Sequence, residues 1–178
     1  TATSVHRTEA GVTVELSDDS TVTAEKVLVA AGRRANTVGL GLESVGLNPD
    51  GPIATDVHLR AIGAEDWLYA VGDANGRALL THQGKYQARI AGNVISTRAH
   101  GGPVDVAPWG THVATADLHA VPQVFFTNPE AASVGLTAEQ AEQSGRRIKV
   151  VDVNIGETVP GANFYADGYT GHARMVVD

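Results

Sequence analysis

The stretch WLYAVGDANGRALLTHQGKYQARIAGNVI, residues 67–95, constrains this chain more than any other. An apolar run from Trp67 to Val71 stops at Gly72-Asp73, and after a short loop a helix pattern opens at Thr81. Tyr86, Ile90 and Val94 recur at i, i+4 and i+8, with Ala91 and Ile95 alongside, which describes one apolar helix face. Thr81 is the expected N-cap of that helix. A strand that carries one acidic side chain to the place where a helix begins is a strand–turn–helix unit, and the rest of the chain has to accommodate it.

Residues 3–32 read as a β-meander. Val12, Val14 and Leu16 alternate with polar residues, as in a half-buried strand, and Asp18-Asp19-Ser20 is a turn. Val27-Leu28-Val29-Ala30-Ala31 is a continuous apolar run ending at Gly32, the pattern of a strand buried on both faces. Residues 33–51 are rich in turn signals, and short strands are expected at Ile53–Leu59 and Trp67–Val71. The segment 98–120 has the proline, glycine and polar character of a linker, and a domain boundary is placed in it. Beyond it, residues 121–127 and 147–155 read as strands, and 172–178 as the start of another. Thr137 and Gln140 have capping-box spacing ahead of a helix that Gly145 terminates.

Composition excludes several classes. The chain has 178 residues, no cysteine, and a formal charge of −7 without long blocks of either sign. Disulfides and thiolate chemistry within the chain are therefore out. A nucleic-acid partner is not expected, because phosphate contacts need a basic surface. No apolar run is long enough to span a bilayer, and the N-terminus lacks a signal pattern; a cytoplasmic location is compatible with the missing cysteines. The seven histidines show no metal-ligand spacing, so no metal site is expected, and His112 and His119 are read as solvated. Gly39, Gly41 and Gly46 have the wrong spacing for a dinucleotide fingerprint and read as turn residues.

The chemistry concentrates at residues 72–82. In α/β folds a carboxylate just past the carboxyl end of a strand is placed to hold the hydroxyls of a nucleotide cofactor. The helix start at Thr81–Gln83 adds free backbone N–H groups and a positive dipole end. Together they suit a cofactor with a hydroxylated chain and an electron-accepting ring, such as a flavin with negative charge near N1 and O2.

Three segments carry a family resemblance: LYAVGD with ALLTHQGKYQARIAG (68–73 and 78–92), KVLVAAGRRANTVGLGLESVGL (26–47), and VPQVFFTNPEAASVGLTAEQAEQSG (121–145). In this order they resemble the pyridine nucleotide–disulfide oxidoreductases, in particular the dihydrolipoamide dehydrogenase and mercuric reductase branch. The resemblance implies a mixed α/β and α+β fold in four parts. Residues 1–32 would end an NAD(P)-binding domain, 33–105 would close an FAD-binding domain, 106–120 would link, and 121–178 would begin an α+β dimerisation domain. It implies that Asp73 holds the ribityl O3′ of FAD, that Gly72 lets the backbone approach the cofactor, and that Leu79, Leu80, Thr81 and His82 pass beside the isoalloxazine. Gly32 matches a glycine close to the nicotinamide cofactor. Arg33, Arg34 and Asn36 match the turn into the FAD domain, with Ala35 where the family has proline.

The implied parent is a homodimeric, FAD-dependent NAD(P)H oxidoreductase that passes hydride between nicotinamide and flavin and then reduces a disulfide or another small acceptor. The family's glycine fingerprints, redox cysteines and His–Glu pair are absent from these residues. The chain is therefore expected to be an internal fragment with no catalytic residue of its own. The alternative is a non-catalytic dimerisation module with a vestigial flavin site.

Overall fold

Alternation at Val12, Val14 and Leu16 builds β2 (Gly11–Leu16), the middle strand of an antiparallel meander with β1 (Ala2–Thr8) and β3 (Thr21–Ala24). Val14 stands opposite Val5 on one side and Val22 on the other, and Val12 is buried. The Asp18–Ser20 turn closes on the Asp18 carboxylate, which accepts from Ser20 N–H at 3.1 Å and from Ser20 Oγ at 2.6 Å. The meander belongs to the first of two units, Thr1–Arg34; the second is Ala35–Asp178. The structure, a computed structural model, describes residues 1–9 and 11–178.

The run Val27–Gly32 departs from expectation. It forms no strand, and Leu28 and Val29 are 90% and 77% exposed. A strand buried on both faces needs neighbours on either side and layers above and below. Among the described residues the three-stranded sheet ends at β3, so an apolar pattern alone does not bury this run.

In the second unit, Leu42–Val45 form a 3₁₀ turn bracketed by Gly41 and Gly46, both in the left-handed region at φ 74° and 79°. That is the structural use of the glycines whose spacing failed as a fingerprint. The strands expected at 53–59 and 67–71 shrink to isolated bridges, Thr55 with Ala61 and Arg60 with Tyr69. For 53–59 the reason is the Asp56 side chain, which accepts from the N–H groups of His58 (2.9 Å) and Arg60 (3.0 Å) and folds the chain into a local turn. Backbone bonds from Ala61 to Leu68 (2.9 Å) and from Ala70 to Leu59 (3.0 Å) then tie the turns into a ribbon.

The helix α1 (Thr81–Ala99) lies on that ribbon, with Ile90 and Ala91 packed in one buried cluster with Leu59 and Ala114. A second cluster joins Leu42, Ile53, Ala61 and Ala70. Two expectations for α1 need correction. The N-cap is Leu80, in extended conformation and without a side-chain cap bond, so Thr81 is the first helical residue. Ile95 is 47% exposed, whereas Gln83 and Gln87 are buried. The segment read as a linker is not a free tether. Val113, Ala114, Thr115 and Asp117 are buried around the short helix α2 (Ala116–His119). His112, expected to be solvated, is partly buried, with Nε2 3.0 Å from Thr97 Oγ1 and Nδ1 accepting from Asp105 N–H at 3.0 Å.

The remaining residues form β4 (Gln123–Phe125) paired with β5 (Ala131–Ser133), helix α3 (Ala138–Gln143), and β6 (Lys149–Asn154) paired with β7 (His172–Val177). Two short helices, α4 (Ile155–Thr158) and α5 (Pro160–Tyr165), lie between β6 and β7. The capping box expected at α3 is formed: Thr137 accepts from Gln140 N–H at 3.2 Å and Gln140 Oε1 from Thr137 N–H at 3.0 Å. Such a cap contributes about 1 kcal/mol. Asp152 and Arg174, opposite in register, make a bidentate pair at 2.7 and 2.9 Å. The hydrogen bond from Arg174 holds the Asp152 carboxyl below its ordinary pKa. No helix among the described residues is long and apolar enough to cross a membrane.

Candidate functional site

The Gly72–Asp73 turn and the start of α1 meet, as the strand–turn–helix reading requires. Gly72–Asn75 form a 3₁₀ turn with Gly72 at φ 66° and the C-cap Gly76 at φ 70°. A Cβ built on Gly84, in the first turn of α1, would stand 3.3 Å from Gly72 Cα. Two glycines in contact let the turn sit directly on the helix start, closer than side chains would permit. Asp73 is exposed on this turn, and Leu79 and Leu80, partly buried, lead into the exposed Thr81 and His82. The ring of His82 is tied to the Pro122 carbonyl, with Nε2 2.8 Å from the oxygen.

Backbone donors gather at the helix start. With Leu80 making no side-chain cap, the N–H groups of the first turn have no intrahelical acceptor, and the helix dipole adds positive potential there. An acceptor-only carboxylate on the neighbouring turn completes a donor edge and an acceptor side by side. That donor set suits a ligand with hydroxyls at one end and electron-rich carbonyl oxygen at the other, so these residues fit a flavin. Gly32 belongs to the first unit; it is exposed, at φ 106°, with nothing within 4 Å of a built Cβ.

What the sequence reading missed is the polar network beneath the turn. Gln87 Oε1 accepts from Gly72 N–H at 2.7 Å and from Asn75 Nδ2 at 2.9 Å. Gln87 Nε2 donates to Asp117 Oδ2 at 3.0 Å, and Gln83 Nε2 to Asp117 Oδ1 at 2.9 Å. Arg77 reaches the same carboxylate at 3.5 Å and donates to the carbonyls of Thr55 and Asp56 at 2.7 and 2.6 Å. The signal was available: Gln83 and Gln87 lie at i and i+4 in line with Ile90 and Val94, polar residues on the face that turns inward.

A cavity of about 670 Å³ opens elsewhere in the second unit, lined by Trp109, Leu136, Arg146 and Met175 among others, and none of the candidate residues borders it. Its arginines are already committed, Arg146 to Asp178 at 2.6 Å and Arg174 to Asp152. Among the described residues no three His, Cys, Asp or Glu side chains gather as metal ligands.

Comparison with known proteins decides the family. Residues 1–91 match the family model for pyridine nucleotide-disulphide oxidoreductase, and residues 121–178 match that family's dimerisation domain. The chain belongs to the pyridine nucleotide-disulphide oxidoreductase family. Its similarity to other members runs along most of its length. A dihydrolipoyl dehydrogenase from Geobacillus stearothermophilus is 29% identical over 172 residues, which is 95% of this chain and 33% of that protein. One from Chlamydia pneumoniae is 36% identical over 126 residues, 70% of this chain and 24% of that protein. Among solved structures, LpdA from Mycobacterium tuberculosis superposes with TM-score 0.70 at 25% identity, covering 99% of this chain and 38% of that one. The HOCl-induced flavoprotein disulfide reductase RclA from Escherichia coli gives TM-score 0.69 at 27% identity, covering 98% and 37%. The chain thus spans no more than about two fifths of these family members.

Proposed function

We propose that this chain is the part of an FAD-dependent NAD(P)H oxidoreductase that grips the flavin and leads into the dimer interface. The observation that carries this is the contact between the Gly72–Asp73 turn and the uncapped start of α1. In this reading Asp73 accepts from a ribityl hydroxyl of FAD, and Gly72 keeps the backbone close to the cofactor. Leu79 and Leu80 line the approach, and the N–H groups at Thr81 and His82 face the pyrimidine edge of the ring. Gly32 lies by the nicotinamide of NAD(P). Bound FAD supplies two-electron exchange between a pyridine nucleotide and a disulfide or another small acceptor. Residues 1–32, 33–105 and 121–178 are then the NAD(P), FAD and dimerisation portions, with 106–120 joining the last two. The dimerisation portion pairs two copies of the full-length protein, in the cytoplasm.

Asp73→Ala in the full-length protein tests the assignment. Loss of a hydrogen bond to a charged group costs about 1.5–3 kcal/mol, so FAD should be held roughly ten- to a hundredfold less tightly, while the flavin-free protein still folds. Flavin absorbance after desalting reads the outcome, and an unchanged FAD content would sink the role of Asp73.

A further inference from the structure

Asp117 lies far along the chain from Gly72-Asp73, in the segment that reads as a linker, yet its side chain has no exposed surface. It faces Gln83 and Gln87 on α1 and Arg77 on the loop before it. A carboxylate has only acceptors to offer, so both glutamine amides must turn their NH₂ groups toward it. That choice fixes the other end of Gln87. Its Oε1 is left pointing at the Gly72 N–H and at Asn75 Nδ2, the two donors that hold the turn. Were Gln87 reversed, its NH₂ would confront both donors and its oxygen the carboxylate; Gly72 N–H would lose its partner, and Asn75 Nδ2 would keep only the Ala70 carbonyl.

We infer that Asp117 is a positioning residue: through the amide of Gln87 it sets the Gly72–Asp73 turn against the start of α1. For the flavin this rests on the function proposed above, because the distance between Asp73 and the helix N–H groups is the distance the cofactor must match. The orientation of one amide therefore passes from a buried charge to a backbone N–H at the site. The side-chain hydrogen bonds of Asp117 go to Arg77, Gln83 and Gln87, so it acts on the turn through Gln87.

The test is a double-mutant cycle in the full-length protein, with Asp117→Asn, Gln87→Glu and the two combined. Asp117→Asn lets the amide of Gln87 reverse, and Gln87→Glu sets two carboxylates face to face. Combined, they restore the pattern with the two groups exchanged. The new amide at position 117 donates to the new carboxylate at position 87 and accepts from Gln83, and that carboxylate again accepts from Gly72 N–H. Net charge is kept; Arg77 gives up its 3.5 Å contact with position 117 and retains its two carbonyl partners. Two readouts are taken, hydrogen exchange of the peptide spanning residues 70–76 and retention of FAD after desalting. Each single variant should speed exchange and weaken retention about tenfold, the loss of a buried hydrogen bond, and the double variant should return both to within about twofold of the parent. A double variant as impaired as the singles combined, or singles with unchanged exchange, overturns the positioning role. A parent protein that carries no flavin but shows the rescue in hydrogen exchange would leave Asp117 in its role and remove the flavin reading instead.

Discussion

Gly72→Val is expected to empty the flavin site of the full-length protein and to lower its unfolding temperature. Gly72 sits at φ 66°, a conformation that costs an L-residue about 1–2 kcal/mol and a β-branched one more. The backbone cannot rotate away from it without losing the 2.7 Å bond from Gly72 N–H to Gln87, worth about a further 1 kcal/mol. The first carbon of the new side chain would already be in van der Waals contact with Gly84 Cα at 3.7 Å, so the valine methyls crowd the seam between turn and helix. The sum is about 2–4 kcal/mol, which lowers the midpoint by roughly 5–15 °C in a domain of this size. Gly92→Ala is the control. It lies in the same helix with nothing within 4 Å, and there the better helix former should be neutral or add up to about 1 kcal/mol. Calorimetry and flavin absorbance on both variants decide the matter. Full flavin content in Gly72→Val would show that the close approach of turn and helix is dispensable.

Leu59 is the second sensitive position, for a different reason. Its side chain is fully buried, and it packs with Ile90, Ala91 and Ala114, joining ribbon, helix and the 113–117 segment. Leu59→Ala should therefore cost about 2–5 kcal/mol. The backbone adds a distinguishing twist, since Leu59 holds φ at 67°. Glycine also removes the buried Cβ, worth about 0.8 kcal/mol, and has the larger entropy in the unfolded chain, about 0.4–1 kcal/mol, but it relieves left-handed strain of about 1–2 kcal/mol. These terms nearly cancel, so Leu59→Gly is expected to be about as stable as Leu59→Ala, where a buried position without left-handed strain would favour alanine. Denaturant midpoints for the two variants measure the difference, and a glycine variant clearly weaker than the alanine one would mean that φ at this residue relaxes freely.

Local chemistry made much of the fold legible. The β1–β3 meander follows from alternation, α1 from the spacing of Ile90 and Val94, and the start of α3 from Thr137 and Gln140, because each of these signals lies within a few residues of the structure it specifies. The candidate site was legible for the same reason: Gly72, Asp73 and Thr81 are neighbours in sequence. Illegible were the features that depend on distant partners. Asp117 reads as one more polar residue in a polar segment, and only the arrival of Gln83 and Gln87 from α1 makes it a buried anchor. The strand expected at 53–59 was lost to the Asp56 side chain, which competes with the ladder for backbone donors. Periodicity weighs apolar spacing and does not register that competition.

The bare Val27–Val29 run bears on how the first unit behaves on the bench. Leu28 and Val29 stand open to water beside a backbone with no ladder partner among the described residues, which makes a sticky strip for other molecules. Sulfate is excluded from protein surfaces and drives such strips together, whereas chilling weakens apolar association. Preparations containing residues 1–34 with this strip uncovered should stay dispersed when kept cold and low in sulfate, and should cloud on warming or salting. Light scattering against temperature would record it.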